Sequence, residues 1–232
     1  MRAARFALFA LLFVGASVPI YLVTALAELA QPGAVHAGAR LWGRTFVGLA
    51  RAVLGIRLEV RGVVPVGACI VAAKHQSLYE TIVLLDVLNS PGVVLKRQLL
   101  ALPLWRFFTR RHDTMPIDRG QGATALRPML RTARRVAAAG RAILIFPEGT
   151  RVRPGDAPPL KPGVSALYQL LGLPVVPLAL ATARVWPGGG LPRAGTAVFA
   201  FGAPIPPGLA RADFEARLHV AVNALQAAPP SV

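Results

Sequence analysis

His75 and Glu80 stand five residues apart in "KHQSLYET", in a chain with only four histidines and ten carboxylates. An imidazole with one ring nitrogen held by a carboxylate is fixed in one tautomer, and its other nitrogen is a general base. The same spacing has a second reading. Ser77 as N-cap and Glu80 three positions later form a capping box at a helix start, worth about 1 kcal/mol. Ser77 is the one serine close to His75, and it reads as that cap in preference to a nucleophile.

A second group lies in "FPEGTR", residues 146–151. Pro147 ends an apolar run, and Glu148, Gly149, Thr150 and Arg151 follow. Glycine permits close backbone approach to a ligand. Arginine offers a planar fork to a phosphate, and an exposed glutamate beside it could accept a hydroxyl. The plainer reading is a turn with an exposed ion pair. Lys96 in "VLKRQ" and Arg119 in "PIDRG" are further cations at the ends of apolar runs. Together with His75 they suggest a site for a phosphorylated hydroxyl compound. No phosphate-binding P-loop, dinucleotide fingerprint or G-x-S-x-G elbow occurs. The base is therefore expected to activate a substrate hydroxyl directly, without a covalent acyl-enzyme.

These groups need a frame. Past residue 55 short β-branched runs alternate with longer helical ones. Strands are expected at 57–62, 68–73, 92–96, 114–118, 142–146, 174–181 and 196–201. Helices are expected at about 78–88, 98–109, 121–138, 162–171 and 210–226. Such alternation predicts an α/β fold with a mostly parallel sheet flanked by helices. In that fold, sites collect where strands run into loops at their C-terminal ends. His75, Lys96, Arg119 and Glu148 all sit at such places. The "WPGGGLPRAG" stretch reads as a loop insert.

The apolar fraction is 54% and the mean hydropathy +0.53, high for a soluble globule. Residues 6–27 carry no charge and suit a helix that spans a bilayer, half-inserts, or is a cleaved signal peptide. A second helix, about 36–54, places Arg40, Arg44 and Arg51 on one face, the pattern of a helix lying on anionic lipid. The expected division is 1–54 as membrane-associated helices and 55–232 as the α/β domain. The positive-inside rule puts the arginines at the cytoplasmic face of the inner membrane. A net charge of +16 attracts polyanions. With this apolar excess, the expected partner is an anionic membrane surface, with no nucleic acid. The single cysteine, Cys69, excludes an intramolecular disulfide and a cysteine-based zinc site, and reads as a buried, inert thiol.

"KHQSLYET", "IDRG", "FPEGTR" and "PVVPLAL", in this order, resemble the four blocks of the 1-acylglycerol-3-phosphate acyltransferase family, from about Val60 to Pro204. The family's histidine is usually followed five positions later by aspartate; here the acid is Glu80, as in the sub-group with "KHQS-x-x-ET". The second block usually carries a glycine before its arginine, which "RRHDTMPIDRG" lacks. The resemblance implies a glycerolphosphate acyltransferase-like fold behind an N-terminal helical membrane anchor. It implies acyl transfer from acyl-CoA or acyl carrier protein to the 2-hydroxyl of lysophosphatidic acid, giving phosphatidic acid. His75 would be the general base and Glu80 its orienting acid. Arg119, Glu148, Gly149, Thr150 and Arg151 fall in the blocks that bind the acceptor; Lys96 joins them by its position alone. An activated thioester needs no metal and no cofactor. Two other readings fit the same residues: transfer to another lysolipid, such as a lyso-aminolipid, or a non-catalytic basic membrane-binding protein. A lipid hydrolase built on Ser77, His75 and Glu80 is a further rival.

Overall fold

The computed structural model describes residues 1–97, 109, 111–117 and 126–226, with the side chains of 126 and 127 left aside. Two helices come first, α1 (Arg2–Ala30) and α2 (Ala34–Leu49), the second running into a π-helical turn at Ala50–Leu54. There follow β1 (Ile56–Arg61), β2 (Ile70–Ala73), α3 (Leu78–Val87), β3 (Gly92–Lys96) and β4 (Met115–Ile117). The chain continues through α4 (Leu126–Ala138), β5 (Ile143–Ile145), α5 (Pro162–Leu171), β6 (Val175–Ala181), β7 (Gly195–Phe201) and α6 (Arg211–Val222). Each strand falls within two residues of its expected bounds. The expected helix at 98–109 lies almost wholly outside the described residues.

The strands form one sheet in the order β1-β7-β6-β2-β5-β3-β4. Every neighbouring pair is parallel except β6 and β7. The sheet is thus mostly parallel and flanked by helices, as expected. Its central strands are apolar throughout because both faces are covered: β2 "IVAA" and β5 "ILI" are buried at every position. Pro177 sits inside the equally apolar β6, where a missing N–H normally breaks a ladder. Here its carbonyl still accepts the Gly202 N–H at 2.9 Å. The antiparallel pairing with β7 runs from Leu178 onward, and Ile205 pairs with Val175 on the same side. One core lies between the sheet and α1, α2 and α3, centred on Phe46, Tyr79 and Phe199. The other lies under α4, α5 and α6, with Met129, Tyr168 and Phe214. Cys69 is buried in the first core, and burial pushes its thiol up to about 11.

The helix α1 is long and apolar enough to cross a membrane, at 29 residues and a hydropathy of 2.3. It is continuous through Pro19. Only one edge of it is used inside the protein. Phe6 and Phe9 pack edge-on against Trp186, and Phe9 and Phe13 against Phe46. Leu11, Val14, Val18, Leu22, Leu26 and Leu29 face outward and are exposed. The turn into α2 is held by Glu28, whose Oε2 accepts the N–H groups of Gly33 and Val35 and so caps a helix start that would otherwise leave donors unpaired. Of the three arginines expected on lipid, Arg44 pairs with Asp86 of α3 at 2.7 Å and stays exposed. Arg51 is exposed and Arg40 half-buried.

At the N-terminal edge of the sheet, α2 is tied down by a polar cluster. Arg141 donates to His36 Nε2 at 3.2 Å and to Asp113 at 2.7 Å. His36 Nδ1 meets Ser90 Oγ, and that hydroxyl meets His112 Nε2 at 2.8 Å. Burial, then His36 and Arg141, push His112 down to about 3, so this imidazole is neutral.

The α1–α2 hairpin closes on a small residue. A Cβ at Gly38 would stand 2.3 Å from the Oγ1 of Thr24, which is itself buried. Gly38→Val is expected to destabilise the protein by about 1–3 kcal/mol through overpacking, read as a lower Tm of detergent-solubilised protein. Gly48→Val, where the added atom meets nothing within 4 Å, is the control.

Candidate active site

The parallel strands β6, β2, β5, β3 and β4 end on the same edge of the sheet, and the expected site residues follow those ends. Ala72 is level with Ile145 and Val93 with Leu144. Carried forward, both registers bring Lys74 and Lys96 level with Pro147. His75 lies one residue beyond Lys74, and β3 lies two strands from β2, roughly 10 Å at the usual spacing. Lys96 is exposed there. Arg119, expected two residues past β4, lies outside the described residues.

His75 and Glu80 meet as expected. The imidazole Nδ1 is 3.0 Å from Glu80 Oε1, and the histidine side chain is 17% exposed while the carboxylate is fully buried. The imidazole Nε2 has no hydrogen bond among the described residues. The ring is further fixed by Phe146, stacked at a centroid distance of 4.1 Å. A carboxylate on Nδ1 places the neutral ring's proton on that nitrogen and leaves the lone pair on Nε2.

Glu80 is the most heavily bonded side chain here. Besides His75, Oε1 accepts the N–H groups of Gln76 (2.6 Å) and Ser77 (2.5 Å). The other oxygen accepts the hydroxyls of Ser77 and of Thr182, the latter at 2.7 Å. Burial opposes the charge of Glu80, but the bonds from His75 and Ser77 and the attraction of the imidazole outweigh it, holding the carboxyl below its ordinary range. The capping box is also formed, with Ser77 Oγ accepting from the N–H of Tyr79. One carboxylate therefore both holds the imidazole and closes the capping box. Ser77 is fully buried, and its hydroxyl donates to Glu80 with no bond to His75. The serine-hydrolase arrangement, in which the imidazole stands between serine and acid, is not formed.

The "FPEGTR" loop corrects one expectation. Glu148 is not an exposed group waiting for a substrate hydroxyl; it is 2% exposed. Its Oε1 accepts from Lys74 Nζ at 2.8 Å and its Oε2 from the His75 N–H at 2.9 Å. The loop is shaped by a turn in which the Gly149 N–H reaches the Phe146 carbonyl. Gly149 adopts φ +69°, which side chains rarely accept. Val152 N–H then donates to the His75 carbonyl at 2.7 Å. Thr150 and Arg151 between them are exposed, and the Val152–His75 bond holds the Arg151 main chain next to the histidine loop. The structure thus brings His75, Glu80, Gly149, Thr150 and Arg151 together, with Lys96 on the same edge.

Lys74, Gln76 and Thr182 carry weight that the sequence reading missed. Gln76 Oε1 accepts the N–H of Thr182 at 2.9 Å, which ties the end of β6 to the histidine loop. The available signal was Lys74 itself, one of three lysines, placed directly after an apolar run whose burial obliges it to find an acidic partner.

The description "Acyltransferase" belongs to the family model that matches residues 56–181. A 1-acyl-sn-glycerol-3-phosphate acyltransferase of Pseudomonas aeruginosa is 37% identical over 151 residues, 64% of this chain and 59% of that protein. The human 1-acyl-sn-glycerol-3-phosphate acyltransferase beta is 30% identical over 128 residues, 53% of this chain and 46% of that protein. The aligned parts thus cover 59% and 46% of these relatives' own lengths. The crystal structure of the 1-acyl-sn-glycerophosphate acyltransferase PlsC from Thermotoga maritima shares the fold, with a TM-score of 0.77 over 100% of both chains at 23% identity.

Glu80→Gln keeps the volume but turns an NH2 group toward donors that need an acceptor. It is expected to destabilise the protein by about 1–3 kcal/mol at neutral pH, the cost of unsatisfied buried groups. Since folding lowers the Glu80 pKa, the charged form's stabilisation is complete above the ordinary value of 4.5 and is lost as pH falls through the folded value. The gap between wild type and Glu80→Gln in urea unfolding should therefore narrow as pH drops below 4.5.

Proposed function

We propose, from the premise that this chain belongs to the acyltransferase family, that it moves an acyl group from a thioester to the 2-hydroxyl of 1-acylglycerol-3-phosphate, giving phosphatidic acid. One observation carries the reading: an imidazole held through Nδ1 by a buried carboxylate, with Nε2 unpaired among the described residues and the Arg151 backbone beside it. Two named relatives, bacterial and human, act on that acceptor, which supports the choice over a phosphate-free lysolipid.

The geometry supports the following steps. Nε2 takes the proton of the acceptor hydroxyl as its oxygen attacks the thioester carbonyl. Glu80 stabilises the resulting imidazolium through Nδ1–H. The tetrahedral intermediate collapses, the C–S bond breaks, and the imidazolium returns its proton to the departing thiolate. The products are an ester and a free thiol, and the histidine is neutral again. A guanidinium fork at Arg151 suits the acceptor phosphate, with Lys96, Arg119, Gly149 and Thr150 completing that end of the site. Held at one end by its phosphate, the acceptor presents its hydroxyl to Nε2, and such positioning supplies much of the rate. The donor is an acyl-CoA or an acyl carrier protein, and the thioester's own reactivity replaces a metal or cofactor. The exposed leucines and valines of α1 sit in the bilayer, and the site works at the cytoplasmic face of the inner membrane, where cationic side chains meet anionic lipid.

Purified protein is assayed with labelled acyl thioester and a panel of lysolipids. Wild type is expected to prefer lysophosphatidic acid, and His75→Ala to lose about 10²–10⁴-fold in kcat, the contribution of a positioned base, with Tm nearly unchanged. A preference for a phosphate-free acceptor, or full activity in His75→Ala, refutes the assignment.

A further inference from the structure

Lys74 touches no substrate in the steps above, yet it is a fully buried charge directly beside the base. Its ammonium donates to Glu148 Oε1 at 2.8 Å, to the Asp156 carbonyl at 2.9 Å and to Asn223 Oδ1 at 2.7 Å. An ammonium has three protons, so each is placed. The acceptors come from separate parts of the chain: the "FPEGTR" turn, the loop beyond it, and the residue following α6. Glu148 in turn gives its second oxygen to the His75 N–H. The His75 carbonyl is held from the same loop by the Val152 N–H. A continuous path therefore runs from the end of α6 through Lys74 and Glu148 to the main chain of the base. A second link lies beside it, since Gln226 Oε1 accepts from Gln76 Nε2 at 3.1 Å and its own Nε2 donates to the Leu180 carbonyl.

We propose that Lys74 is a positioning residue for acyl transfer: it fixes Glu148 so that this carboxylate sets the main chain of His75 and aims Nε2 at the acceptor hydroxyl. The proposal rests on the acyl-transfer reading. The residue types are required by the donor count. Position 148 must accept on two different atoms, Oε1 from an ammonium and Oε2 from a backbone N–H, which a carboxylate does and an amide, with one acceptor atom, cannot. Position 74 must donate in three divergent directions and neutralise a charge removed from water. A planar guanidinium would send its donors out in one plane. Asn223 brings the end of α6, outside the matched residues 56–181, into the positioning of the base.

The test measures kcat and KM for acceptor and donor on the full chain, with thermal unfolding in parallel. The proteins are wild type, His75→Ala, Lys74→Met, Glu148→Gln, the Lys74→Met/Glu148→Gln double variant and Asn223→Ala. Lys74→Met and Glu148→Gln are each expected to lose about 10²-fold in kcat, the effect of a misplacement near 1 Å, with little change in either KM. The double variant should be no slower than the slower single one, since the two residues act as a unit. Asn223→Ala should lose kcat several-fold at unchanged KM while staying folded. Wild-type kcat in folded Lys74→Met, or single losses that multiply in the double variant, overturns the proposal. If Lys74→Met does not fold, Asn223→Ala decides: a kcat loss at unchanged KM supports the relay, and wild-type kcat refutes it. Wild type inactive toward every thioester refutes acyl transfer itself and this proposal with it, whereas an active wild type with inactive His75→Ala and normal Lys74→Met refutes the proposal alone.

Discussion

Glu80 carries its charge where no water reaches it, and the site depends on how that charge is satisfied. An ionised carboxylate moved from water into a protein interior without partners is prohibitively unstable. Here the partners are the backbone of the histidine loop, the cap of α3, a hydroxyl from the end of β6, and the imidazole. The same oxygens thus start a helix, close a loop and orient a base. The positive N-terminal end of α3 adds to the favourable field. Since fold and function use one interaction, a change at Glu80 cannot disturb the base without also disturbing the start of α3.

The second buried charge follows the same rule with a different outcome. Lys74 and Glu148 are removed from water together, and a pair of this kind contributes to stability only when hydrogen bonds satisfy the remaining protons and lone pairs. Here they do: the remaining ammonium protons go to Asp156 and Asn223, and the second carboxylate oxygen goes to His75. Removing one partner of a buried pair typically costs about 3–5 kcal/mol, so this pair also secures the packing of α6 against the loop.

Much of this was legible in the sequence, for local reasons. Strands such as "GVVLK" and "AILIF" are short β-branched runs bounded by glycine, arginine or proline, and their periodicity and punctuation survive in the fold. The His75–Glu80 pair was legible because its partners lie five residues apart, on either side of the start of α3. Tertiary partners were not. Thr182 reaches Glu80 only because β6 lies beside β2, and no local pattern gives that order. Glu148 was misjudged as exposed for the same reason: its burial is set by Lys74, whose role appears only once β2 and β5 are neighbours. The Arg44–Asp86 pair was equally out of reach, because the sequence could not place α3 beside α2.

The net charge takes on a sharper meaning once the acidic groups are located. Glu80 and Glu148 are consumed in the site, Glu28 caps α2, and Asp86, Asp113 and Glu215 each bond arginine. The net charge remains +16, and nearly all of the positive charge is arginine. A field of that sign draws anionic lipids and anionic substrates toward the protein. The apolar helix α1 is also linked by packing to the site. Phe6 and Phe9 of α1 contact Trp186, which also packs against Tyr79, the residue immediately before Glu80. The Trp186 backbone N–H donates to the carbonyl of Thr182 at 2.8 Å, whose hydroxyl donates to Glu80. The long apolar helix and the His75–Glu80 pair are thus joined through one aromatic cluster and one carboxylate.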